Sequence, residues 1–203
     1  MQLFFEDDLV EAVVDLCTAG RLAGVTAAEV ARFHADRELG YRIPDPDLRA
    51  EAFAGTHLEW FTRWGLRARL ESAAGRFPDL VAACEALVFR RARGRHDEGG
   101  ELYRDEEGRR RGVIALRPDR VVTEPVLTGF LNHELAHLAD MVSPEFGYFR
   151  TLGDRERTPS EDRLVRERYR LLWAIRVDGV LARAGAAGVA DEDRRREDFV
   201  RAF

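Results

Sequence analysis

The sequence contains little cysteine and has no excess of positive charge, and each shortage excludes a class of protein. Among 203 residues only Cys17 and Cys84 are cysteines, and they stand too far apart to form the closely spaced pairs of zinc-finger or redox motifs. We therefore expect two buried, reduced thiols. The formal net charge of −5 argues against a nucleic-acid-binding protein, because such proteins carry basic surfaces.

Long apolar runs are missing as well. No segment approaches the roughly 18 consecutive apolar residues of a membrane-spanning helix. The N-terminal residues MQLFFEDDLV are acidic, whereas a secretory signal peptide begins with a basic region. We therefore expect a cytoplasmic protein without membrane association. Its contents of 45% hydrophobic and 34% charged residues are typical of a folded globular chain.

The hydrophobic periodicity predicts an α+β fold that is mostly helical and includes a small antiparallel sheet. Helices are predicted at residues 6–19, 26–39, 47–74, 123–142, 160–185 and 191–203. Strands are predicted at residues 86–90 and, as a hairpin, at 101–105 and 112–116. We divide the chain into an N-terminal helical region (1–76), a core that carries the candidate site (77–190) and a charged tail without visible chemistry (191–203).

The most informative stretch is His-Glu-Leu-Ala-His at residues 133–137, inside a predicted helix. Residues four apart on a helix stand one above the other on the same face. His133 and His137 can therefore bind one metal ion together, and Glu134 can reach a water molecule beside that ion. This spacing predicts a Zn²⁺ site.

A catalytic zinc site usually has three protein ligands, and a later helix offers a third. Asp178 is an isolated carboxylate on an otherwise apolar helix face, where an unpaired charge is costly to bury. We predict that Asp178 binds the zinc ion, the alternative being a pairing with an arginine or with a helix N-terminus. Three other acids remain open as ligands or partners: Asp140, Glu145 and Glu167. For Asp140 we favour a hydrogen bond to a ligand histidine over direct ligation.

On these residues the chain resembles the zincin metallopeptidases, which are named for the H-E-x-x-H motif. Metzincins continue the motif with a glycine and a third histidine, but Asp140 and Ser143 occupy those positions here. Gluzincins take an acidic third ligand from a later helix, as Asp178 would provide. Residues 77–185 accordingly resemble a minimal gluzincin, although Ala174 stands where the E-x-x-x-D pattern of that group has glutamate.

The resemblance implies a zinc-dependent hydrolase that cleaves a peptide or protein substrate. Glu134 would be the general base, and Tyr148 is our first choice to stabilise the oxyanion. Other candidates for the oxyanion role are Tyr169, His96 and Arg150. One strand of the predicted hairpin would pair with an extended peptide, unless the sheet only covers the core.

Two other functions remain open at this point. The chain can be a metal-binding regulatory or interaction module with a zincin fold and little or no proteolysis. Alternatively, no metal binds, and His133 and His137 are hydrogen-bonded histidines of the core.

Overall fold

The computed structural model describes residues 1–149 and 157–203, and it confirms an α+β fold that is mostly helical. The strands are β1 (Gln2–Phe5), β2 (Ala86–Arg91), β3 (Gly99–Arg104) and β4 (Arg110–Leu116). The helices are α1 (Asp7–Thr18), α2 (Ala27–Gly40), α3 (Pro46–Arg63), α4 (Leu66–Gly75), α5 (Pro78–Ala83), α6 (Pro118–Val121), α7 (Glu124–Val142), α8 (Pro159–Arg183) and α9 (Glu192–Ala202). A short 3₁₀ turn at Arg95–Asp97 precedes β3.

The sheet is mixed, so the prediction of an antiparallel sheet was wrong in this respect. Its strand order is β1-β2-β4-β3. β1 pairs parallel with β2, and β2 pairs parallel with β4. Only β3 and β4 form the predicted antiparallel hairpin, which leaves β3 at the edge. Parallel neighbours need long crossover connections, so their pairing leaves no local signal in the sequence.

The main hydrophobic core joins helices α1 to α7 to the inner strands. It takes in residues on both sides of the boundary drawn at residue 76. Among its fully buried side chains are Leu9, Phe33, Trp60, Phe61, Leu66, Leu87, Phe89, Ile114 and Leu127. The helix predicted over residues 47–74 is two helices, α3 and α4, because Gly65 between them adopts a left-handed conformation with φ of 75°.

Capping boxes begin two of the helices, α2 and α8. Thr26 and Glu29 form the capping box that their spacing predicts. Thr158 and Glu161 form a second one at the start of α8. Thr123 occupies the N-cap position of α7, but its hydroxyl donates to the Asp119 carbonyl at 3.0 Å instead of capping the helix.

The structure shows the state of the two cysteines and the length of the helices. Cys17 and Cys84 are both buried and free, as expected. Within residues 1–149 and 157–203, every helix is too short or too polar to cross a membrane.

Candidate metal centre

Helix α7 places the motif inside the protein. It packs against α4, α5, α6, α8 and β3, so that most of its surface is covered. Its buried apolar side chains are Leu127, Phe130, Leu131, Leu135, Leu138 and Val142. His133 lies among them with only 6% of its surface exposed, and His137 follows one turn later. A polar ring in such surroundings needs a defined partner.

The two histidines point their Nε2 atoms at the same place. These atoms are 3.1 Å apart, and the rings meet edge to face with centroids 4.6 Å apart. Two nitrogen ligands of a tetrahedral zinc ion lie roughly 3.3 Å from each other, given Zn–N distances of about 2.0–2.1 Å. Burial lowers the pKa of His137 to about 3, and the neighbouring His133 acts in the same direction. His137 is therefore neutral near pH 7, the form that binds a metal.

Asp178 holds the other end of the His133 ring. Its Oδ1 atom is 2.7 Å from His133 Nδ1, on the side of the imidazole away from Nε2. Oδ1 also accepts the Val189 N–H at 3.2 Å. Oδ2 accepts the Ala190 N–H at 3.2 Å and the Arg195 Nε–H at 2.7 Å. With both oxygens occupied in this way, Asp178 is placed to orient a ligand histidine, not to bind the ion itself.

The charge state of Asp178 fits this orienting position. Burial acts to raise its pKa, but the contacts with His133 and Arg195 lower the pKa to about 2. Because the group is a carboxylate, it accepts the hydrogen bond of His133 Nδ1, and Nε2 is the nitrogen that would bind a metal. The predicted burial of Asp178 is confirmed at 3% exposed. Asp178 pairs with an arginine, Arg195, as in one predicted alternative, and with His133. This arrangement differs from the predicted direct ligation.

Glu134 faces the edge strand of the sheet. Its Oε2 accepts the Gly100 N–H of β3 at 2.8 Å. Burial raises the pKa of Glu134, although His133, the Gly100 N–H and Arg120 act in the opposite direction. The side chain opens onto a cleft of about 810 Å³ that His137 also lines. A carboxylate and a histidine of the motif thus share one cleft.

The walls of this cleft come from β3 and from α8. Trp173 of α8 lies edge to face on His137, with ring centroids 4.5 Å apart. Tyr148 also lines the cleft, and its ring centroid is 5.5 Å from that of Trp173. His96, in the 3₁₀ turn, also lines the cleft. Tyr169 contacts Trp173 with centroids 5.9 Å apart. The fourth oxyanion candidate, Arg150, lies outside the described residues.

The rival acids are engaged elsewhere. Asp140 accepts a hydrogen bond from Trp173 Nε1 at 2.7 Å and forms an ion pair with Arg176. Asp140 thereby holds Trp173 against His137. We predicted instead that it forms a hydrogen bond to a ligand histidine. Glu167 is exposed and pairs with Arg163, and Glu145 is exposed. In the part of the chain that the structure describes, no group of three or more His, Cys, Asp or Glu side chains is placed to hold a metal.

Sequence reasoning missed Arg195, which belongs to the tail where we saw no chemistry. Its guanidinium makes the ion pair with Asp178, with Nη2 2.6 Å from Oδ2. It lies 17 residues beyond Asp178, past a turn whose path the sequence does not reveal. Only its position in a run of alternating charges was visible, and such runs usually mark solvated helix faces.

Asn132 was also missed, although it directly precedes the motif. It is 4% exposed. Its Oδ1 accepts from Arg76 Nη2 at 2.7 Å, and its Nδ2 donates to the Ala187 carbonyl at 2.8 Å. Asn132 therefore ties α7 both to the end of α4 and to the turn after α8. A polar residue on an apolar helix face was the available signal.

Comparison with known proteins adds no relative to this picture. Neither a family model, nor a curated protein, nor a solved structure matches the chain. The interpretation of the centre therefore depends on the residues and distances described above.

Proposed function

We propose that this protein is a zinc-dependent hydrolase, specifically a metallopeptidase, with His133 and His137 as metal ligands. The observation that carries the proposal is the approach of the two Nε2 atoms to 3.1 Å, with Glu134 opening onto the same cleft. Asp178 on the far side of His133 supports it, since ligand histidines usually donate their other ring N–H to such a partner. Neutral imidazoles suit zinc among the common metals.

The residues of the cleft supply the proton transfers that hydrolysis needs. When bound, zinc would lower the pKa of a water molecule and polarise the scissile carbonyl. Glu134 accepts the proton of the attacking water and then donates it to the leaving amine. The Gly100 N–H keeps the Glu134 carboxylate on the cleft side of α7. Tyr148, in the cleft wall, donates its hydroxyl hydrogen to the oxyanion.

The position of β3 at the end of the strand order supports a peptide as the substrate. The Gly100 N–H points at Glu134 and so away from β4. In an antiparallel strand, alternate residues direct their N–H and C=O groups to the same side. Leu102, which lines the same cleft, therefore directs its backbone groups away from β4. An extended peptide adds to such an edge as a further strand, which lays its backbone alongside Glu134 and His137.

Incubation with a mixed peptide library tests the proposal. We expect cleavage by the zinc-loaded protein and its loss in Glu134→Gln, a variant that should retain zinc because both histidines remain. Glu145→Gln, at an exposed acid just beyond α7, serves as the matched control and should cleave like the wild type. Zinc binding without cleavage of any peptide would instead favour the regulatory or interaction module.

The buried free thiols Cys17 and Cys84 accord with a cytoplasmic site of action.

A further inference from the structure

The C-terminal helix α9 reaches the candidate centre through a single side chain. Arg195 contacts Asp178, and Asp178 contacts His133. On the basis of the proposed zinc site, we propose that Arg195 is a positioning residue of the metal centre, which acts through Asp178 on the orientation of His133. Arg195 does not line the cleft of Glu134 and His137, and it reaches His133 through that carboxylate.

The contact geometry explains how Arg195 selects the orientation of the carboxylate. Its Nε and Nη2 atoms both approach the same oxygen, Oδ2 of Asp178, at 2.7 and 2.6 Å. Oδ1 is thereby directed at His133 Nδ1, 2.7 Å away. Both side chains are largely shielded from water, since Arg195 is 14% exposed and Asp178 is 1% exposed. A charged pair so removed from water keeps most of its electrostatic strength.

The turn between α8 and α9 fixes Asp178 from the other side. The Val189 and Ala190 N–H groups each donate to one of its oxygens. Gly188 packs so closely that a Cβ atom there would be 2.4 Å from Asp178 Oδ1. The carbonyl of Ala187 accepts from Asn132 of α7. The carboxylate is thus held by α9 and by the turn, and the turn is itself attached to the motif helix.

The neighbours of Arg195 show that this contact is particular to one residue of α9. Arg194 pairs with Glu197 and Asp198 of its own helix. Arg196 pairs with Glu192, also of its own helix, and both of these side chains are well exposed. Arg195 alone of these three cations reaches across to α8. Arg196 therefore provides a control of the same residue type on the same helix.

The test compares Arg195→Gln with Arg196→Gln by competition for zinc against a chelator. Loss of a residue that orients a ligand histidine typically weakens metal binding by about 10- to 100-fold, and we expect Arg195→Gln to weaken it by about tenfold. Arg196→Gln should bind as the wild type does, because exposed ion pairs contribute little. With Co²⁺ in place of zinc, the visible absorption spectrum should change only in Arg195→Gln. Equal affinities and equal spectra for the two variants would overturn the proposal.

A double variant tests whether Arg195 acts through Asp178. In an Asp178→Ala background, Arg195→Gln should cause no further loss of zinc affinity, because the group that transmits its effect is gone. An additive loss would show that Arg195 acts by another route. If Arg195→Gln does not fold, as judged by circular dichroism, Arg195→Lys replaces it. The lysine ammonium cannot reproduce the two guanidinium contacts. A wild-type cobalt spectrum for the lysine variant would therefore contradict the inference.

A further measurement separates failure of this inference from failure of the zinc proposal. In the metal-free protein, ¹⁵N NMR of the His133 ring should show the hydrogen bond of Nδ1 to Asp178. Arg195→Gln should change these nitrogen shifts, and Arg196→Gln should leave them alone. If the wild type binds no zinc but the shifts change in Arg195→Gln and not in Arg196→Gln, the zinc site is refuted and the positioning role of Arg195 stands. Unchanged shifts in Arg195→Gln would refute the positioning role.

Discussion

His133 is held at both nitrogens of its ring. Nε2 faces His137 at 3.1 Å, and Nδ1 faces Asp178 at 2.7 Å. The carboxylate fixes the tautomer, and the tautomer decides which nitrogen can bind a metal. Asp178 is in turn paired with Arg195, so each member of this chain of contacts is buried with a partner. A buried charge that loses its partner is strongly destabilising, which makes these side chains interdependent.

Replacing Asp178 by asparagine removes the charge and keeps the shape. We expect zinc affinity to fall by about 10- to 100-fold and the free energy of unfolding to fall by about 1–3 kcal/mol, since Arg195 loses its charged partner and keeps only Asp198, 3.4 Å away. Chelator competition and urea unfolding measure the two effects. Asp162→Asn, at a more exposed acid of the same helix, should change neither. Wild-type stability in Asp178→Asn would contradict the buried ion pair.

Gly188 tests the packing around the same carboxylate. A Cβ atom at this position would lie 2.4 Å from Asp178 Oδ1, so we expect Gly188→Ala to lower the free energy of unfolding by about 1–3 kcal/mol and to weaken zinc binding. Gly55→Ala is the control, because a Cβ atom in that position of α3 meets nothing within 4 Å. It should raise stability by about 0.5–1 kcal/mol through helix propensity. Thermal unfolding compares the two, and equal effects would refute the close contact.

At the scale of elements, the site depends on how β3 is held against α7. Glu98, just before β3, accepts two hydrogen bonds from Arg120 of α6, at 2.7 and 2.9 Å. The Arg120 guanidinium also lies over the Phe130 ring of α7, 4.5 Å from its centroid. These contacts connect the start of β3 to the motif helix. They thereby support the position of Gly100 beside Glu134.

Glu98 contributes to the pH dependence of stability. Burial acts to raise its pKa, but Arg120 and the Arg117 N–H lower it below the usual value of 4.5. A lowered pKa gives stability that is fully present above pH 4.5 and is lost as the pH falls through the folded-state pKa. We therefore expect Glu98→Gln to be less stable than the wild type by about 1–3 kcal/mol at pH 7. Urea unfolding should show this difference shrinking below pH 4.5, and a constant difference would contradict the assignment.

Sequence reasoning succeeded where the determining interactions are local. The Nε2 atoms of His133 and His137 meet because residues four apart share a helix face. The capping box at Thr26 likewise depends on three residues of chain. The partners of Asp178 were not predictable in this way, because Arg195 approaches only after the turn at residues 185–190 has formed. The pairing of β1 with β2 joins residues 2–5 to residues 86–89, which no local pattern encodes.

At the scale of the whole molecule, the motif helix lies at the junction of the core and the outer helices. One side of α7 contributes Leu131 and Leu135 to the main core. Its other side meets α8, where Trp173 and Val177 form a smaller buried cluster that Ala136 and Met141 pack against. A metal bound at this junction would connect the two clusters. Binding and folding should therefore be coupled.

This coupling predicts a shift in thermal stability. Free zinc at about 100 times its dissociation constant should stabilise the native protein by about 2.7 kcal/mol, and a chelator should reverse the gain. His137→Ala should show no such response, because one of the two converging nitrogens is absent. Calorimetry with and without zinc measures the shift. An unfolding temperature that does not respond to zinc in the wild type would contradict the coupling.

The central claim is that His133 and His137 bind one zinc ion, and the most direct measurement is the zinc content at equilibrium. Metal-free protein is dialysed against buffered zinc, and bound metal is determined by elemental analysis. We predict one equivalent per chain in the wild type, one equivalent in Glu134→Gln, and none in the double variant His133→Ala, His137→Ala. No bound zinc in the wild type, or one equivalent retained by the double variant, would contradict the proposed metal centre.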